Sequence, residues 1–88
     1  MPRVQINTES LEKIHRQLNQ ASYEIQAMTN KISMDVQMAE VEGWSDKTYV
    51  EFRDAIQDTL LTLQSSARKI EDEHIPYIKN LVRMTSDF

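Results

Sequence analysis

From Leu11 to Ile32, apolar side chains recur at steps of three and four without a break: Leu11, Ile14, Leu18, Ala21, Ile25, Met28 and Ile32. A strand would need alternation with period two. This spacing instead keeps one stripe of an α-helix facing a neighbouring helix. Asp35 falls on the next seam position, and Ala39 resumes the stripe. Asn7 is the expected N-cap, because its side-chain oxygen can accept from free N–H groups of the first turn. Ile6 and Leu11 stand at the N′ and N4 positions of a hydrophobic staple, and Glu9 suits the positive end of the helix dipole. The first helix is expected over residues 8–40, roughly 50 Å long.

A second series follows: Tyr49, Phe52, Ile56, Leu60, Leu63, Ala67, Ile70, His74, Tyr77, Leu81, Met84 and Phe88. It predicts a helix over 46–85, with Ser45 as N-cap and Trp44 and Tyr49 as its staple pair. The doubled step of four around Ile56 is a stutter, which locally unwinds a supercoil. Pro76 removes a backbone hydrogen bond and crowds the carbonyl of Asp72, so a kink is expected there. Ile75, Ile78 and Val82 form a second apolar edge beside this seam, more than one partner helix can cover.

The segment EGWSDKTYVEF, residues 42–52, separates the two series and holds the sole glycine and the sole tryptophan. Two long helices joined by a short turn, here 41–45, pack as antiparallel neighbours. Gly43 can take the positive-φ conformation that ends a helix without a Cβ penalty. Trp44 is expected to fill the wedge between the helix ends. The fold class is therefore all-α: residues 1–88 form one helical hairpin, expected to pair into a four-helix bundle dimer because a lone hairpin has little interior.

Composition removes several function classes. There is no cysteine, hence no disulfide and no thiol chemistry. Ten basic against fourteen acidic residues give a net charge of -4, without the clustered cations that nucleic acid or an anionic membrane surface requires. No apolar run approaches the roughly 18 residues of a membrane span. The opening MPRVQINTES lacks the apolar core of a cleaved leader, so export would use a leaderless route.

These residues resemble the WXG family, the ESAT-like small proteins of type VII secretion. That family pattern is a hairpin of about this length, a Trp-X-Gly turn and an aromatic eight residues after the tryptophan; Trp44 and Phe52 have this spacing. The opening VQINTESLEKIHRQL is also similar to the family's capped start. Two departures stand out. Asp46 occupies the position of the motif glycine, and the C-terminal export signal, Tyr followed four residues later by Asp or Glu, is absent: Tyr77 is followed by Leu81 and Tyr49 by Arg53. The resemblance implies a bundle-forming protein, either a secreted dimer or the helical partner of a larger secreted effector, found in the bacterial cytoplasm and outside the cell. It implies a homodimer or a heterodimer with another helical hairpin, and contact with a type VII secretion ATPase.

Candidates for chemistry are few. Glu71 and His74 have a metal-compatible i, i+3 spacing, but a metal site needs three or four convergent ligands and only two are found. His15 reads as a flanking surface residue. Ser65 and Ser66 lack a strained elbow and a nearby histidine. No enzyme activity and no cofactor are expected. Asp35 on the seam is costly if dry, so it either meets a cation of another helix or stays wet, and it reads as a register-setting residue. Interface candidates are Leu18, Ile25, Ile32, Leu63 and Ile70, the off-seam methionines Met34 and Met38, and the edge Ile75, Ile78 and Val82. The alternative to a secretion role is a structural coiled-coil adaptor or complex subunit.

Overall fold

The computed structural model describes residues 7–86. Its elements are α1 (Thr8–Val41), α2 (Lys47–Lys69), a π-helical turn (Ile70–His74) and α3 (Ile75–Ser86). They form an antiparallel hairpin, a rod of 64 × 21 × 15 Å. Asn7 caps α1 as its sequence position predicts, with Oδ1 accepting the N–H groups of Glu9 at 2.9 Å and Ser10 at 3.3 Å. The staple partner Ile6 lies outside the described residues, as does Phe88.

The chain reverses through a helix-ending motif in which two late carbonyls of α1 are satisfied from beyond the helix. Gly43 N–H donates to Glu40 O at 3.1 Å and Trp44 N–H to Ala39 O at 3.0 Å. Gly43 has φ +113°, and a Cβ there would meet nothing within 4 Å. Its role is therefore conformational rather than steric. The cap of α2 is Asp46, not Ser45: its Oδ1 accepts the Tyr49 N–H at 3.0 Å. A carboxylate at a helix N-terminus gains both a charge-assisted hydrogen bond and the dipole interaction, so the helix begins one residue later than the hydroxyl would set it.

The irregularity expected at Pro76 takes the form of a π turn immediately before it. Ile75 N–H bonds to Ile70 O, five residues back. Pro76 has no N–H for the Asp72 carbonyl, and the wider turn gives its ring room. This turn inserts one extra residue into the helical repeat, which re-aims everything after it. Upstream, Leu60 and Ala67 face α1; a continued repeat would bring His74 inward, yet Ile75 is buried and His74 exposed.

Ile75, Ile78 and Val82 therefore belong to the hairpin's own seam. Ile75 is buried and the other two half-buried in the single chain, which corrects their assignment to an open edge. His74, Tyr77 and Met84 are correspondingly exposed, while Leu81 is half-buried.

The seam on α1 is corrected in the same way. Leu11, Leu18, Ile25 and Ile32 do border it, but their alternating partners are His15, Ser22, Thr29 and Val36 rather than Ile14, Ala21, Met28 and Asp35. Ser22 is 2% exposed and Thr29 1%, while Met28 is 62% exposed. Asp35 is exposed and Val36 takes the seam position; His15 is half-buried rather than a surface residue. The reason is steric and polar together. Small Ser22 lies opposite small Ala67, which lets the two helices approach there, and the hydroxyls of Ser22 and Thr29 both find acceptors. Ser22 Oγ lies 3.5 Å from Ala67 O and 2.9 Å from Glu71 Oε1, and Thr29 Oγ1 donates to Gln26 O at 3.0 Å. Hydroxyls satisfied in this way cost little to bury. The consequence is a thin apolar core: Leu11, Tyr49, Leu60, Ala67 and Ile75 are the buried hydrophobic residues among those described.

Candidate functional site

Each helix has three adjacent columns at heptad spacing, and the two sides of the hairpin differ in what they display. On α1 the inward column is His15, Ser22, Thr29 and Val36. The bordering column is Leu11, Leu18, Ile25 and Ile32, and the next column outward is Ile14, Ala21, Met28 and Asp35. On α2 the corresponding inward column is Arg53, Leu60 and Ala67. The bordering column is Tyr49, Ile56, Leu63 and Ile70, and the outward column Phe52, Thr59 and Ser66. Reversing chain direction reverses the sense of the helical wheel, so both outward columns lie on the same side of an antiparallel pair. After the π turn, Ile78 and Leu81 continue this side, with Tyr77 and Met84 on its margin.

The result is one apolar face running the length of the rod. Leu18, Ile25, Ile32, Ile56 and Ile70 are half-buried along its centre, and Ile14, Met28, Phe52 and Leu63 are exposed upon it. Of the interface candidates, Leu18, Ile25, Ile32, Leu63 and Ile70 lie on this face, and Met38 lies at its edge. Met34 is exposed but points away from the seam, on the back of α1. The opposite side of the hairpin is polar. Gln26, Asn30 and Gln37 from α1 face Gln57, Gln64 and Arg68 from α2 across shallow grooves. There Gln26 Nε2 donates to Glu71 Oε1 at 2.6 Å and to Ser22 Oγ at 3.1 Å. Glu71 is thus engaged with α1 while His74 is exposed. Among the described residues no three His, Cys, Asp or Glu side chains converge as a metal site would require, and no helix is long and apolar enough to cross a membrane.

At the turn, Tyr49 rather than Trp44 fills the wedge. Tyr49 is 1% exposed and Trp44 40%. The Tyr49 hydroxyl donates to Val36 O at 3.1 Å and lies 3.2 Å from Glu40 Oε2. Burial, together with that bond to Glu40 and the glutamate's charge, holds the phenol above its ordinary pKa. Trp44 folds instead over the outside of α2. Its ring meets Tyr49 edge-on at 5.3 Å and Phe52 at 5.5 Å, tilted by 36°. Its Nε1 donates to Asp46 Oδ1 at 3.1 Å. The Asp46 carboxylate also accepts the Thr48 hydroxyl, and that bond, followed by the Tyr49 N–H, holds its pKa below the ordinary value. Asp46 is therefore a helix cap that also holds the indole, so that Trp44 and Phe52 present ring surface at the turn end of the apolar face.

The sequence places Tyr49 on the seam but assigns the wedge to Trp44, and the Ser22–Gln26–Glu71 cluster was missed. A signal for Ser22 was present: the column His15, Ser22, Thr29, Val36 alternates with Leu11, Leu18, Ile25, Ile32 as regularly as the apolar one does.

Comparison with known proteins adds no relative: no family model matches the chain, and no curated protein or solved structure is significantly similar to it.

Proposed function

We propose that the chain is a non-enzymatic assembly protein of the ESAT-like kind associated with type VII secretion, acting as a secreted dimer or as the helical partner of a larger secreted effector. The observation that carries this reading is the uncovered apolar face, ending in the Trp44–Phe52 pair at the turn. Soluble chains rarely leave so long an apolar strip open, and covering it with two further helices completes a four-helix bundle. A specific interface buries roughly 800 Å² per partner, and a rod 64 Å long and 21 Å wide offers that area on one side. The resemblance supplies the secretion context: hairpin length, the tryptophan in the turn and its aromatic eight residues on.

The test is export from the source cell with and without its type VII ATPase. We expect the protein outside the cell only when the ATPase is present. Trp44→Ala should retain helical circular dichroism and lose export. Appearance of the chain outside cells lacking the ATPase, or unchanged export of Trp44→Ala, contradicts the proposal. A second reading, an intracellular coiled-coil adaptor using the same face, is favoured by Leu81 standing where the export signal would carry an acid. It predicts retention in the cell under both conditions.

A further inference from the structure

We infer that Asp35 selects the partner: the apolar face is built for a different helical chain that carries a lysine or arginine opposite Asp35, and the carboxylate disfavours pairing with a second copy. This rests on the docking reading proposed above. Asp35 continues the outward column Ile14, Ala21, Met28, which makes it the acidic member of an otherwise apolar column. It is exposed, and no hydrogen bond or ion pair holds it: the ion pairs among the described residues are Lys47–Glu51 and Arg53–Asp54. Lys31, one turn earlier, does not reach it.

On its apolar face a second copy supplies no cation at this point. Asp35 stands about 9 Å from the turn end of α1 at 1.5 Å per residue. In a fully overlapped pair with both turns at one end, that height on the partner's α2 falls at Arg53 and the adjoining Phe52; Arg53 belongs to the inward column, lines the polar groove and is paired with Asp54, so the side chain met on the apolar face is a second Phe52. In an end-for-end pair, the same height counted from the other end of α1 is occupied by a second Ile14. Either arrangement presses a carboxylate onto an apolar side chain twice over. Burying a charge without a partner is far costlier than leaving out a hydrophobic contact, and such a residue discriminates by what it forbids. A foreign helix with a cation at this height turns the same carboxylate into an attraction, as polar seam positions do when they specify partner and register.

The experiment is sedimentation equilibrium of the purified chain, wild type beside Asp35→Leu and Asp35→Lys, over a wide concentration series. Wild type should stay monomeric, or dimerise at least about tenfold more weakly than Asp35→Leu. Asp35→Lys should resemble wild type, because a lysine there meets the same apolar side chains. A tight wild-type dimer that Asp35→Leu leaves unchanged overturns partner selection while leaving the docking face intact. Should Asp35→Leu remain monomeric at every concentration, with full helical circular dichroism, the docking reading itself falls.

Discussion

Tyr49 and Trp44 divide the roles that one aromatic would otherwise carry at the turn: the tyrosine closes the inside, and the tryptophan, tied to Asp46, faces out. Their substitutions should separate accordingly. Tyr49→Ala empties the wedge and should cost about 3–5 kcal/mol, as buried aromatics do. Trp44→Ala, with its ring 40% exposed, should cost about 1–2 kcal/mol, in proportion to the area it still covers. Urea denaturation of both variants checks the order, and a larger loss for Trp44→Ala contradicts the assignment. Asp46 makes a pH prediction. Its folded-state pKa is depressed, so its contribution is present above the ordinary carboxylate value of 3.8 and fades as pH falls through the lower folded value. Asp46→Asn, which still caps, should flatten this acid-side decline in a series of melts below pH 5. At this scale the sequence was legible where a residue's role is set locally. Asn7 and Gly43 act through their own backbone neighbours and were read correctly. The allocation between Trp44 and Tyr49 depends on where the facing helix lies, which residue type alone does not encode.

Elements show the same division between local and long-range causes. The boundaries of α1 and the existence of α2 follow from capping and periodicity. The face each helix turns inward does not, because both Leu11–Ile14–Leu18 and Leu11–His15–Leu18 satisfy heptad spacing. Hydrophobicity favours the first; close approach at Ser22 and Ala67 and the satisfied hydroxyls of Ser22 and Thr29 realise the second. Pro76 signalled a helix irregularity, but not that an inserted residue would swing Ile75, Ile78 and Val82 into the seam. The π turn can be tested as a register device. Deleting Asp72 together with Pro76→Ala should give a continuous α-helix with those three residues still inward and one cooperative thermal transition. Inserting an alanine after Asp72 should rotate α3 by about 100° and broaden that transition. Equal behaviour of the two variants contradicts the role given to the turn. Likewise Ser22→Leu, apolar but large, should destabilise by about 1–3 kcal/mol through overpacking against Ala67, measurable by chemical denaturation.

For the whole molecule, the consequence is an uneven distribution of apolar surface. The hairpin spends its polar column on its own seam and keeps a longer apolar face outside, so its stability alone should be marginal and should rise when that face is covered. Everything proposed about assembly depends on this inside-out arrangement. The absence of cysteine makes it directly measurable. Ser22→Cys with Ala67→Cys joins facing positions, where the Ser22 hydroxyl lies 3.5 Å from the Ala67 backbone carbonyl; Ala21→Cys with Ala67→Cys places one thiol in the outward column instead. On mild oxidation at low protein concentration, we expect rapid intramolecular disulfide formation in the first pair and little in the second, read as mass and free-thiol count. Rapid closure of the Ala21 pair with a reduced Ser22 pair would mean that the apolar column faces inward, and the exposed docking face would not exist.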